Sequence, residues 1–177
     1  EDFLKHFEDV QFCMIRDDYE YTSIRSRCDP KHAGYIKMTV TAPGKYYVTV
    51  NQKSRRYFSD SYEYTPATLV VGKLGSKDVE LVGGVQRADR EVWADGEFTS
   101  GEYLIYVKLP WLINQTTDFV VSAYGPGKVT FQIAQKNTCP NLLEKAFMSH
   151  ARKSSKLQSY ASDGEPNCYS AVDLTYM

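Results

Sequence analysis

From residue 34 the chain alternates with period two. In YIKMTVT, Ile36, Met38 and Val40 share one face, while Tyr35, Lys37, Thr39 and Thr41 share the other. A helix cannot carry that pattern on one face, but a half-buried strand does. Ala42-Pro43-Gly44 then breaks the run, because proline presets a turn dihedral and glycine tolerates positive φ. KYYVTVNQ follows with Tyr46, Val48 and Val50 on one face, so the two runs predict an antiparallel hairpin.

The pattern recurs along the chain. TLVVGKL (68–74) and DVELVGGV (78–85) flank a Gly-Ser-Lys turn, and REVWADGEF (90–98) leads through Ser100-Gly101. EYLIYVKL then sets Tyr103, Ile105, Val107 and Leu109 against Leu104, Tyr106 and Lys108, and DFVVSAYG and KVTFQIA flank Pro126-Gly127. Short strands at regular spacing, with turn chemistry between them and no helical periodicity from 10 to 135, predict an all-β, antiparallel β-sandwich. Fourteen tyrosines suit such a fold, since aromatics favour a half-buried pleated surface.

The flanks differ. Phe3, Leu4, Phe7 and Val10 fall at helical spacing and predict a short N-terminal helix over 1–9. Val10 to Ile15 then reads as a buried strand. After residue 135, NLLEKAFMSHARKSSKLQ predicts a helical tail with Leu143, Ala146, Phe147 and His150 near one face. Beyond the polar turn SDGEPN, residues 169–177 read as one more strand with no visible partner. Both ends read as cut from a longer chain.

The 177 residues suit one domain with an appendage. With 21 basic and 22 acidic residues, no bulk field favours nucleic acid or an acidic membrane. Apolar runs are strand-sized, too short to span a bilayer as helices. The N-terminus carries acids rather than a basic region before an apolar stretch, so no secretory signal is read. Cys13, Cys28, Cys139 and Cys168 form no CxxC pair. Reduced thiols in a cytoplasmic, intracellular protein are therefore expected, rather than a disulfide framework or zinc site, with Cys13 buried in its strand. Asn114-Gln115-Thr116 fits the glycosylation acceptor pattern without a secretion signal to support it.

EDFLKHFEDVQFCMI resembles the end of the calpain cysteine-protease core, where an acidic-aromatic helix runs into a strand ending in Cys. TAPGKYYVTVNQKSRRY, REVWADGEFTSGEYLIYVKLPW and DFVVSAYGPGKVTF resemble the sandwich that follows that core in protozoan calpain-like proteins. The resemblance implies three parts: 1–9 as the end of an upstream protease core, 10–135 as a C-two-like accessory sandwich, and 136–177 as a helical linker with the first strand of a following module. It also implies that the Cys-His-Asn triad lies upstream of residue 1, and that the sandwich docks on the core to regulate an endopeptidase. A scaffold or adaptor module of a catalytically dead calpain-like protein is the alternative. Pro110-Trp111 matches part of the family's Asn-Pro-Trp signature, but Leu109 stands in place of the Asn. The acid-rich loop of animal calpain sandwiches is not obvious, which puts calcium in doubt.

The residues themselves offer few catalytic groups. His6, His32 and His150 are scattered, and no glycine-rich helix start lowers the pKa of any cysteine, so this segment is read as noncatalytic. Calcium wants six to eight hard oxygens, and Asp17, Asp18, Glu20 and Asp29 are read as one acidic loop after the first strand. Asp60, Glu63, Asp89 and Glu91 add to it only if the loops converge. The other reading is a solvated loop. Lys53, Arg55 and Arg56, beside Tyr57 and Phe58, form a basic cluster. Its partner is anionic lipid, a cytoskeletal protein or the protease core, with Lys37 or Lys45 joining across the hairpin. The other reading is charge that keeps a β protein soluble. No basic stripe with ordered aromatics marks nucleic-acid binding, and Trp93 and Trp111 are read as core or inter-sheet packing.

Overall fold

In the computed structural model, the described residues are 15–28, 33–59, 62–76, 78–110, 117–134, 141–154, 157–160 and 168–171. Nine strands form two sheets: β1 (Glu20–Cys28), β2 (Gly34–Val40), β3 (Gly44–Gln52), β4 (Ala67–Leu74), β5 (Val79–Arg87), β6 (Glu91–Phe98), β7 (Gly101–Lys108), β8 (Thr117–Gly125) and β9 (Val129–Ile133). One sheet runs β1-β8-β3-β6 and the other β5-β4-β7-β2-β9, with every pairing antiparallel. The fold is the all-β sandwich that the alternation predicts.

The connectivity differs from a chain of hairpins. β2 pairs with β7 and β9, whereas β3 pairs with β6 and β8, so the two strands around Ala42-Pro43-Gly44 lie in opposite sheets. Among β1 to β9, only the β4–β5 connection stays within one sheet. Alternation says which side chains face the core, and a strand meets that demand equally well in either layer.

The corner is built from particular groups. Gly44 sits at φ 145°, a region that L side chains avoid, and a Cβ there would lie 2.7 Å from Pro126 of the β8–β9 corner. Tyr46, fully buried, donates its hydroxyl to Ala42 O at 2.9 Å and Gly127 O at 3.2 Å. One phenol thus ties the β2–β3 corner to the β8–β9 corner. Burial pushes its pKa up.

The inner faces interdigitate as one core. Ile36, Met38 and Val40 of β2 meet Val48 and Val50 of β3 and Val121 and Ala123 of β8, with Ile105 and Val107 of β7 in the same cluster. Outside the five-stranded sheet a second cluster gathers Val70, Leu104 and Tyr106 with Leu142 and Ala146 of helix α1 (Leu142–Ser154). β7 is therefore buried on both faces. The helical tail is present, and it packs on the sheet at β5 and β4. It buries Leu142 and Ala146, while Leu143 is partly exposed.

Beyond α1, β10 (Leu157–Tyr160) pairs antiparallel with β11 (Cys168–Ala171), so the last strand has a partner after all, whose first two residues were read as helix. The N-terminal helix over 1–9 and the strand from Val10 lie outside the described residues except for Ile15, which is exposed. Cys13, Cys139, His6, His32, Trp111 and Asn114 also lie outside them.

Candidate functional site

The four predicted calcium ligands do not share a loop. Residues 20–28 are strand β1, with Glu20 opening it and Asp29 following its last residue. Eight strand steps separate those ends by about 26 Å, far beyond the reach of one ion's coordination shell. Asp17 and Asp18 are exposed ahead of the strand, and Asp18 pairs with Arg16 at 3.5 Å. Asp29 and Asp60 themselves lie outside the described residues. Glu63 lies between β3 and β4, while Asp89 lies in the β5–β6 connection and Glu91 opens β6. Among the described residues no three His, Cys, Asp or Glu side chains are grouped to hold a metal.

Lys53, Arg55 and Arg56 do share one turn, and buried chemistry holds it. β3 ends at Gln52, which is 3% exposed. Its Nε2 donates to Thr65 O at 2.7 Å and Asp89 O at 2.9 Å, and its backbone N–H donates to Arg90 O at 2.8 Å. Thr65 in turn donates its hydroxyl to Pro110 O at 2.7 Å. One amide and one hydroxyl thereby fix the start of the turn against two other loops.

After this anchor, Arg55–Tyr57 forms a 3₁₀ turn whose cap, Ser54, accepts weakly from Arg56 N–H at 3.5 Å. Arg55 N–H donates to the Tyr64 hydroxyl at 3.2 Å. Phe58 stacks on Tyr62 with centroids 4.0 Å apart, and Tyr62 meets Tyr64 edge-on. Lys53 Nζ stands 5.1 Å from the Tyr57 ring and 5.5 Å from Phe58. The Arg55 and Arg56 side chains are exposed, and no carboxylate among the described residues pairs with either. The turn thus presents cations and the exposed Tyr57 from an aromatic base.

Neither expected helper joins it. Lys37 lies in the opposite sheet, paired with Glu102 of β7. Lys45 lies at the far end of β3, bound to Asp95 at 2.9 Å, which raises its pKa. Lys37 fails because β2 and β3 are not a hairpin, and Lys45 because the length of β3 lies between it and Lys53.

Trp93 corrects another expectation: it is 51% exposed, not packed in the core. Its neighbours Val92 and Ala94 point inward, so strand parity sends Trp93 to the outer face of the four-stranded sheet. Residue size favoured burial, and parity overrode it. Leu109 is fully buried in the core. His150 lines an apolar groove of about 390 Å³ between α1 and β4–β5, together with Val70, Leu81, Val85 and Leu143.

The outer face of the four-stranded sheet was not anticipated from the sequence as a site. There Tyr21 of β1, Tyr124 of β8 and Tyr47 of β3 stand in one cross-strand row. The only sequence trace of this row is the polar side of each alternation. Its leftmost member sits on β1, which reads as a loop because its apolar residues are few.

The class that the fold defines is an all-β, antiparallel β-sandwich. Comparison with protein-family models and with curated proteins finds no match. Among solved structures, the chain is similar to a Yersinia pseudotuberculosis-derived mitogen, at 12% identity and TM-score 0.42 over 69% of this chain and 92% of that one. No helix among the described residues is long and apolar enough to cross a membrane.

Proposed function

We propose that this chain is a noncatalytic regulatory sandwich of the calpain-like cysteine endopeptidase type, which docks through the Lys53–Arg56 turn on an acidic face of the protease core. The family part rests on the resemblance of the quoted segments. The docking part rests on one observation: exposed Arg55 and Arg56, without a carboxylate partner among the described residues, on a turn whose start the buried Gln52 amide holds. A cation carried on a backbone held in advance loses less freedom on binding than one on a loose loop. Calcium is not part of the proposal, because β1 separates the predicted ligands.

The coding sequence upstream of Glu1 provides the first test. A papain-like core with Cys, His and Asn supports an active parent, a core lacking them supports the scaffold alternative, and no such core overturns the family reading. Where a core is present, it should bind this chain in trans at low salt and weaken as salt shortens the screening length. Arg55→Glu with Arg56→Glu should abolish that binding while leaving circular dichroism unchanged. Binding that ignores both salt and this double variant would overturn the docking surface, and transfer of the effect to phosphatidylserine vesicles would reassign it to lipid.

A further inference from the structure

The two outer faces of the sandwich are unlike. Helix α1 covers part of the five-stranded sheet, whereas the four-stranded sheet displays its outer side chains in cross-strand rows. The first row is Tyr21, Tyr124, Tyr47 and Asp95, and the second is Ser23, Ser122, Thr49 and Trp93. The third sets Arg25 and Val120 beside Asn51 and Glu91. Side chains directly opposite in a sheet share a face, so these rows make one surface. Its centre is a concavity of about 530 Å³ on β1, β8, β3 and the start of β6, within the range of small-ligand sites.

The polar groups there are ordered before any ligand arrives. Thr49 Oγ1 and Ser122 Oγ share a hydrogen bond at 2.6 Å, and Asn51 Nδ2 donates to Thr49 Oγ1 at 3.0 Å. Asn51 keeps a second N–H and its carbonyl for an outside partner. Arg90 and Glu91 add a donor and an acceptor at the rim. Tyr21, which lines the concavity, and Trp93, which stands outside it on the same face, are 64% and 51% exposed on opposite edge strands.

Charge selects among ligands. Arg25 and Arg27 are both bound to Asp118, Lys45 is bound to Asp95, and Glu91 stands beside Arg90. Among the described residues no run of unpaired cations crosses the face, so a polyanion gains little there. Accessible rings combined with hydroxyls, an amide and balanced charge suit a ligand with apolar C–H faces and many equatorial hydroxyls. We infer that this face is a binding site for a neutral glycan, its pyranose rings lying against Trp93 or Tyr21 and its hydroxyls meeting Asn51, Arg90 and Glu91.

The test is electrophoresis of the whole chain through native gels containing laminarin, hydroxyethylcellulose, mannan or galactomannan, with heparin as the polyanion arm. Retardation by at least one neutral polysaccharide is expected. Trp93→Ala or Tyr21→Ala should weaken it about tenfold, the worth of one stacked ring. Both side chains are exposed, so the variants keep the wild-type circular dichroism, and Arg55→Glu with Arg56→Glu leaves glycan retardation intact. The inference is overturned by no retardation in any neutral gel, by retardation indifferent to both aromatic variants, or by salt-sensitive retardation in heparin alone.

Discussion

Replacing Gly125 by alanine should destabilise the fold out of proportion to one methyl group. A Cβ at Gly125 would lie 2.0 Å from Tyr46 Cδ1, 2.4 Å from Cε1 and 2.5 Å from Cγ. Carbon atoms rest about 3.5 Å apart, so the ring would have to move by about 1.5 Å. It has nowhere to go: Tyr46 is wholly buried, edge-on to Phe98 at 5.4 Å, and its hydroxyl holds Ala42 and Gly127. Overpacking of this kind costs about 1–3 kcal/mol, and loss of the phenol's hydrogen bond adds about 1 kcal/mol. Alanine offsets about 0.4–1 kcal/mol by restricting the unfolded chain. The net loss is about 2–3 kcal/mol, or a Tm lower by about 5–10 °C in a chain of this size. Urea titration followed by circular dichroism measures it. In a Tyr46→Leu background the ring is gone, so the same alanine should cost under about 1 kcal/mol, leaving a coupling of about 1–2 kcal/mol. A single-variant loss below about 0.5 kcal/mol, or strict additivity with Tyr46→Leu, would refute the corner as described.

Gln52→Leu strands the Thr65 and Asp89 carbonyls and should cost about 1–3 kcal/mol, even though it also removes the buried, unpartnered Gln52 Oε1; an unchanged urea midpoint would show that the amide does not hold the loops. Asp118, hydrogen-bonded by Arg27 at 2.7 Å and by Arg25, has its carboxyl pKa lowered to about 2. Since the folded value lies below the unfolded one of about 3.9, its stabilising contribution is complete above that value and is lost as pH falls through about 2. Carboxyl NMR should place the midpoint near the lower value and move it upward in Arg27→Ala; a wild-type midpoint near 4 would break the pairing. Any calcium heat that Asp17→Asn with Asp18→Asn removes should survive Asp29→Asn, because β1 lies between them. Equal loss from both variants would contradict that strand.

Much of the layering was legible in the alternation. β7 shows this most clearly: Tyr103, Ile105, Val107 and Leu109 join the inner core, and the opposite set, Leu104 and Tyr106, meets α1. The β4–β5 turn was legible as Gly-Ser-Lys between two apolar runs, and here the two strands do pair with each other. β1 was not. EYTSIRSRC places Ile24 and Ser26 inward and Tyr21, Arg25 and Arg27 outward, a composition that suits an edge strand but lacks the apolar run of an interior one. Read as loop, it drew Asp17, Asp18, Glu20 and Asp29 into one imagined cluster. The partner of β2 was hidden for a different reason, since a Pro-Gly corner looks alike whether it returns within a sheet or crosses to the next. The basic turn was legible as neighbouring residues, but its Gln52 anchor depends on contacts with Thr65 and Asp89 that no local pattern reveals.

The same edge-strand logic bears on what the open face selects. β1 and β6 are the edges of the four-stranded sheet, and both carry charges that discourage pairing with another chain: Arg25 and Arg27 on one, Glu91, Asp95 and Glu97 on the other. Edge charges alone would give the face a basic flank and an acidic flank. Asp118 of β8 prevents the first by holding both guanidinium groups, and Lys45 of β3 tempers the second by holding Asp95. Neutrality of this surface is therefore made by two interior-strand residues rather than by the absence of charge. Asp118→Asn should release two exposed arginines with little change in fold, and the face should then retain heparin at low salt and release it as salt rises. Neutral-glycan retardation, which depends on Tyr21 and Trp93, should persist. An Asp118→Asn chain that ignores heparin would show that this pairing does not govern the charge selectivity of the face.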